Sequence, residues 1–241
     1  MAIYALSDLH LAFGFPEKTM EVFGRNWDSY MSRIEENWNR VVSDEDLVLV
    51  PGDICWATKL NEAKIDFDHL NSLNGRKIIS RGNHDYWWST MNKIRAFLLE
   101  NNYSTIDFIR NDDVVIEQDA IIAGTRGWNF PGINEFVESD RKIYERELIR
   151  LNICIESLRK ADPEHKQKWI VTLHYPPLTK QHCKTGFTKI LEEAKVDVCI
   201  YGHLHGLGHR SVFEGKLDSN PYTEFVCASS DYVGFNPVKI M

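Results

Sequence analysis

The chain has 241 residues, 43% hydrophobic and 12% aromatic, with a formal net charge of −7. That length and apolar content suit one full-sized domain and exclude a disordered chain. The acidic balance argues against a broad nucleic-acid or anionic-membrane footprint, which makes a polynucleotide the least attractive substrate or partner.

The N-terminal run "MAIYALSDLH" has no basic region, apolar stretch and cleavage site of a signal peptide, and no window approaches the ~20 apolar residues a membrane span needs. A cytoplasmic protein is expected. Short apolar or β-branched runs recur at 2–7, 46–50, 77–80, 114–118, 120–124, 169–174, 197–201 and 224–229. Several are continuous, as strands buried on both faces should be. Helical patterns lie between them: 26–43 with Asp28 as its N-cap, 60–73 ended by Asn74-Gly75, one from Ser89 to Asn101, 138–161, and 186–195. In the longest, Tyr144, Leu148, Leu151, Ile155 and Leu158 form a core-facing stripe. From His209 onward hairpins with "EGK" and "SNPY" turns are expected, so the sheet is mixed. The alternation predicts an α/β fold in one domain spanning 1–241. The five cysteines are scattered without a CxxC pair and read as small buried hydrophobes, Cys199 and Cys227 within strands.

The chemistry sits where strands stop. The first ends in "SDLH", with Asp8 and His10 two apart and projecting to one side of an extended chain. The second ends in "PGD" with Asp53, and the third in "GNHD" with Asn83, His84 and Asp85. His174 closes "WIVTLH", and "DVCIY" runs into "GHLH" with His203 and His205. Ligands of α/β sheets bind beyond the carboxyl ends of strands, so five such loops should converge. Each motif alone is weak, while all five in this order are a strong joint signal.

Carboxylate, amide and imidazole donors without a thiolate suit two borderline divalent cations, among Mn, Fe, Zn and Co. One carboxylate can bridge two ions about 3.5–4 Å apart, and such a pair clamps the attacking and leaving oxygens of an in-line displacement at phosphorus. It also lowers the pKa of a shared water toward neutrality.

"DLH", "GD", "GNHD", "H" and "GHLH" resemble the five signature blocks of the calcineurin-like metallophosphoesterase superfamily, over residues 8 to 205. The resemblance implies a four-layer α/β/β/α sandwich of two mixed sheets with a dinuclear site between their ends. It implies a first metal held by Asp8, His10, Asp53 and His205, and a second by bridging Asp53 with Asn83, His174 and His203. It implies His84 as the proton donor to the leaving oxygen and Asp85 as the carboxylate that orients it. A metal-ligand role for His84 is the rival reading.

The implied activity is hydrolysis of a phosphodiester or small-molecule phosphate by a metal-bridging hydroxide, with phosphomonoesterase as the alternative. A non-catalytic metal-binding scaffold is the alternative of another class, and a closed structural zinc site fits these ligands poorly. The superfamily's protein phosphatases continue the second block as "GDxVDRG". Here "ICWATK" follows Asp53, which puts phosphoproteins in doubt as substrates. No protein partner is inferable.

Arg126 in "AGTRGW" is a secondary candidate for a substrate phosphate, with a structural role as its rival. Arg81 reads as a surface ion pair, His209 as an improbable further ligand, and Asp231 has no assignable role. Segment 11–44 is longer than a crossover needs and is a candidate substrate-selecting lid. Of the adjacent Trp87 and Trp88, one is expected in the core and the other is a candidate to line the cleft, with a structural role for both as the favoured reading.

Overall fold

The continuous apolar runs become strands buried on both faces, and residue parity decides which core each side chain enters. In the computed structural model, which describes residues 1–241, β1 (Ile3–Ala5), β2 (Leu47–Val50), β3 (Arg76–Ile79) and β4 (Ile106–Phe108) are parallel neighbours. The second sheet comprises β5 (Val115–Ile116), β6 (Ala120–Thr125), β7 (Lys168–Leu173), β8 (Val198–Tyr201), β9 (Gly215–Leu217) and β10 (Asn220–Cys227), in the order β5-β6-β7-β8-β10-β9. Its inner four strands are parallel, with β5 and β9 as antiparallel edges. Strand β11 (Val238–Lys239) returns antiparallel to β1, so the five-stranded sheet is mixed as well.

Helices α1 (Tyr30–Val41), α2 (Lys64–Ser72) and α3 (Met91–Glu100) cover one sheet, and α4 (Arg141–Ala161) and α5 (Gly186–Glu193) cover the other. Along β2, Leu47 and Leu49 enter the core between the sheets, whereas Val48 and Val50 face the helices. Along β8, Val198 and Ile200 point inward between the sheets and Cys199 and Tyr201 face α5. This alternation over strands that read as unbroken apolar runs is what four stacked layers require. Three separate cores result, one between the sheets and one under each helical layer. In α4 the stripe continues as expected, with Leu151, Ile155 and Leu158 buried and Tyr144 and Leu148 packed at its margin.

Two local expectations need correction. Asp28 does not cap α1: a 3-10 turn occupies Arg25–Trp27, and Ser29 at φ 52° interrupts the path before the helix begins at Tyr30. The C-terminal hairpin turns at Asp218-Ser219, while Gly215-Lys216 of "EGK" lies inside β9 and Asn220 of "SNPY" opens β10. Strands β4 and β11 have three and two residues, too short to carry a periodic signal. No helix is long and apolar enough to cross a membrane.

The parallel strands of both sheets point their carboxyl ends to one edge of the sandwich, and the five motifs meet there. Asp8, His10, Asp53 and His203 all adopt positive φ, between 44° and 73°. Such conformations cost free energy in non-glycine residues and persist where surrounding structure fixes them. Gly82 and Gly202 serve a different need: a Cβ on the first would collide with the Asp53 carboxylate, and on the second with the Ser7 hydroxyl and the Asp8 carboxylate. The glycines before Asn83 and His203 therefore let the loops close on the carboxylates.

Candidate metal centre

Asp8, His10 and His205 each present one donor atom, all within 4.8 Å of one another, and so do Asp8, Asp53 and His174. The Asp53 Oδ2 lies 3.7 Å from His10 Nε2 and 3.4 Å from His174 Nε2, between the two groups. His205 Nε2 is 3.4 Å from both Asp8 Oδ1 and His10 Nε2. On the other side, His174 Nε2 approaches Asn83 Oδ1 at 2.6 Å and His203 Nδ1 at 3.3 Å. All seven residues expected to ligate metal thus share one site.

The hydrogen-bond pattern sets their tautomers. His174 Nδ1 is 2.9 Å from the carbonyl oxygen of Pro51, which can only accept, so Nδ1 carries the proton. Nε2 then turns a lone pair toward the oxygens of Asn83 and Asp53. Acceptors facing acceptors at such distances are satisfied by a cation, which is the observation that fits a divalent metal to this donor set. His10 Nδ1, buried, has no partner.

Burial drives the imidazoles toward neutrality, the form that binds metal. It lowers His174 to about 4 and His203 to about 3, with neighbouring histidines adding to the effect, and it depresses His10 well below its ordinary value. His205 departs from this pattern: burial opposes its charge, but bonds to Asp231 and Asp8 raise it to about 10. Burial also disfavours the Asp8 carboxylate, yet His205, His174 and His10 together hold its pKa well below the usual range. Asp53 is pushed well above it, by burial first and then by the charges of Asp85 and Asp8. A pocket holding three buried carboxylates is electrostatically poised for positive charge.

The family model of calcineurin-like phosphoesterases matches residues 1–207. The chain belongs to that family.

Membership carries metal-dependent phosphoester hydrolysis as the family's chemistry. Among curated relatives, an uncharacterized protein of Methanocaldococcus jannaschii is 35% identical over 83 residues, 34% of this chain and 46% of that protein. The matched region thus spans about half of the relative's length. A protein of unknown function from Aquifex aeolicus superposes with a TM-score of 0.50 at 17% identity, covering 99% of this chain and 95% of the other. A second solved structure gives 0.52 at 12% identity, with 93% and 88% covered. At these identities the likeness is one of fold.

In this calcineurin-like phosphoesterase the "GNHD" loop divides its groups differently from the expectation. Asp85 is fully buried and its carboxylate accepts from three backbone amides: Asp53 at 3.0 Å, Ile54 at 2.9 Å and Gly82 at 2.7 Å. It makes no bond to His84, whose Nδ1 has no partner. Successive residues of a tight loop point apart, so adjacency in sequence did not become contact. His84 is tied instead through its backbone N–H, which donates to Asp53 Oδ1 at 2.8 Å. Its ring lies 5.6 Å from that of His10 and 5.0 Å from that of Trp56, and Trp56 in turn stacks on His10 at 4.9 Å.

Asp231, unplaced by sequence, accepts from His205 Nδ1 at 2.7 Å and from the Gly206 N–H at 3.1 Å, with His209 Nε2 3.1 Å away. His209 therefore stands behind the donor set. Segment 11–44 packs against the site from one side: the Trp27 ring lies 6.2 Å from His10 and 5.4 Å from His205, and Tyr30 Oη donates to the His10 carbonyl at 2.5 Å. A cavity of about 550 Å³ opens beside His203 and His205, walled by the loops of 129–135 and 176–182.

Arg126 is joined to the site by its backbone, since its carbonyl accepts from the amides of His174 and Tyr175, both at 2.9 Å. Its guanidinium stacks over Trp128 at 4.4 Å and lines a separate cavity of about 420 Å³. Arg81 lines the same cavity and makes no ion pair, contrary to its reading as a surface pair. Trp87 is buried against Phe67, and Trp88 packs on the same core through Trp87 and Phe108 while reaching the wall of that separate cavity, not the cleft of the metal site.

Proposed function

We propose that this protein hydrolyses a phosphodiester at a dinuclear centre. In this reading Asp8, His10, Asp53 and His205 hold one cation and Asp53, Asn83, His174 and His203 the other, drawn from Mn, Fe, Zn or Co. The observation that carries it is the placement of Asp53 Oδ2 between His10 Nε2 and His174 Nε2, where one carboxylate oxygen serves both halves of the donor set. Two bound divalent ions supply Lewis acidity and activate water for in-line displacement at phosphorus. The protein's own groups do the rest. Asp231 and the Pro51 carbonyl fix the rings of His205 and His174. In this reading His84, half-buried beside His10 and Trp56, protonates the leaving oxygen. Segment 11–44 walls the site through Trp27 and serves as the lid that selects substrate.

A diester has two arms, and two separate cavities, of about 550 Å³ beside His203 and His205 and about 420 Å³ beside Arg81 and Arg126, border the loops that follow the strand ends, which favours a diester over a monoester. The test is turnover of bis-nitrophenyl phosphate against mono-nitrophenyl phosphate by metal-free protein reconstituted with each candidate ion, alongside Asp53→Asn. Metal-dependent cleavage of the diester, abolished in the variant, is expected. Turnover independent of metal, or full activity in Asp53→Asn, overturns the reading, and preference for the monoester replaces diester with monoester.

A further inference from the structure

The metal-site residues come from the ends of β1, β2 and β3 in one sheet and of β7 and β8 in the other. One strand further along the same edge lie the ends of β3, β4 and β6, and four arginines gather there. Arg81, Arg110, Arg126 and Arg150 all line the 420 Å³ cavity, each delivered by a different segment. In a chain of net charge −7 this is a local reversal of sign.

Internal ion pairs consume only part of this charge. Glu147, fully buried, is the carboxylate at the base of the cluster: Arg150 Nη1 meets its Oε1 at 2.6 Å, while Arg126 Nη2 is 3.9 Å from the same atom. Its other oxygen accepts from Thr125 Oγ1 at 3.0 Å. Arg110 has Asp112 at 3.5 Å, both half exposed, and such a pair contributes little. Arg81 has no ionic partner, and Arg126 Nε is buried without an acceptor. A guanidinium donor withheld from water and left unmatched is costly unless a ligand supplies the acceptor. The forked geometry of arginine suits the several oxygens of a phosphoryl group.

Resting on the phosphoesterase reading of the metal centre, we infer that the arginine-lined cavity is a subsite for a second phosphoryl group on the substrate. The substrate is then a phosphodiester with one arm ending in a phosphate monoester, which the arginines hold while the scissile phosphorus lies at the metal site. Arg81, two residues before Asn83, and Arg126, whose carbonyl holds the His174 amide, place the subsite next to that centre. Trp88 on the cavity wall offers an apolar face to whatever connects the two phosphates.

Two measurements test this. Metal-free protein titrated calorimetrically with inorganic phosphate at constant ionic strength should show saturable binding, weakened at least tenfold in Arg110→Ala and in Arg81→Ala. Both replaced side chains are solvent-accessible, so folding should survive their loss. Absence of saturable binding, or unaltered binding in both variants, overturns the subsite. The manganese-loaded enzyme is then offered two nitrophenyl phosphodiesters differing only at the end of the second arm, phosphate in one and hydroxyl in the other. The kcat/KM ratio should favour the phosphate-bearing diester at least tenfold in wild type, and Arg110→Ala should erase most of that preference. Equal turnover of both diesters by wild type refutes the subsite and leaves the phosphoesterase reading standing. Turnover of neither, with phosphate binding intact, refutes the phosphoesterase reading and leaves an anion site.

Discussion

The carboxylate of Asp231 receives the Nδ1 proton of His205 at 2.7 Å and thereby aims Nε2 at Asp8 and His10. Carboxylates behind metal-binding histidines fix ring orientation and raise ligand basicity, and losing one costs about 10–100-fold in metal affinity. Asp231→Asn should weaken manganese binding by that factor, read by calorimetric titration of metal-free protein. His209→Ala, which removes a neighbour of Asp231 but touches none of the seven donors, should have the smaller effect. Unchanged affinity in Asp231→Asn would reduce the contact to packing.

His84 can be tested through its leaving group. A nitrophenolate departs with little help, whereas an alkoxide needs a proton in the transition state. His84→Ala should therefore lower kcat by about 10²–10⁴ on an alkyl phosphodiester and far less on the nitrophenyl one. Metal content, measured by elemental analysis, should stay at the wild-type level. Loss of metal with an equal decline on both substrates would make His84 a ligand instead of an acid.

Asp85 should matter for stability more than for proton transfer. Its two oxygens satisfy the amides of Asp53, Ile54 and Gly82, stitching the second and third loops together. Stranding buried amides costs roughly 1–3 kcal/mol each before relaxation and water entry offset part of it. Asp85→Ala is expected to lose about 2–5 kcal/mol in denaturant unfolding of metal-free protein. Asp85→Asn keeps one acceptor but turns a donor toward an amide, and should lose about 1–3 kcal/mol. Wild-type stability in Asp85→Asn combined with lost turnover would restore the orienting role toward His84.

These three residues show how far the sequence reaches. The donor set was legible because its members follow apolar runs, with a glycine directly before Asp53, Asn83 and His203, and strand polarity then brings all five loops to one edge. The α/β alternation was legible in runs such as 47–50 and 198–201, apolar at every position, whereas the four-layer sandwich was implied by the resemblance of the five blocks. Asp231 was hidden because it meets His205 across 26 residues, after the β9–β10 hairpin. Asp85 misled because its nearest neighbour in sequence is not its partner in space. The arginines were dispersed from Arg81 to Arg150, and only the fold, through the ends of β3, β4 and β6 and the flank of α4, brings them together. Strands β4 and β11 are set by pairing with neighbours more than by local pattern.

Lys77 gives a pH dependence away from the metal site. Fully buried on β3, its ammonium donates to the Leu73 carbonyl and to Thr105 Oγ1. Burial lowers its pKa from 10.5 to about 8, partly opposed by Asp44. Below about pH 8 native and unfolded chains both carry the proton, and the native state bears the full cost of burying the charge. Between about 8 and 10.5 the unfolded chain holds a proton that the native state has shed, so this group makes stability rise with pH; above 10.5 neither holds it. The gain should be about 1–3 kcal/mol, visible as the difference between wild-type and Lys77→Met unfolding free energies measured from pH 7 to 10.5. The methionine variant has no such charge to bury but leaves the Leu73 carbonyl without its donor, so its advantage should be greatest at pH 7 and shrink as pH rises. A wild-type-minus-variant difference that stays flat across that window would mean Lys77 remains charged in the folded protein.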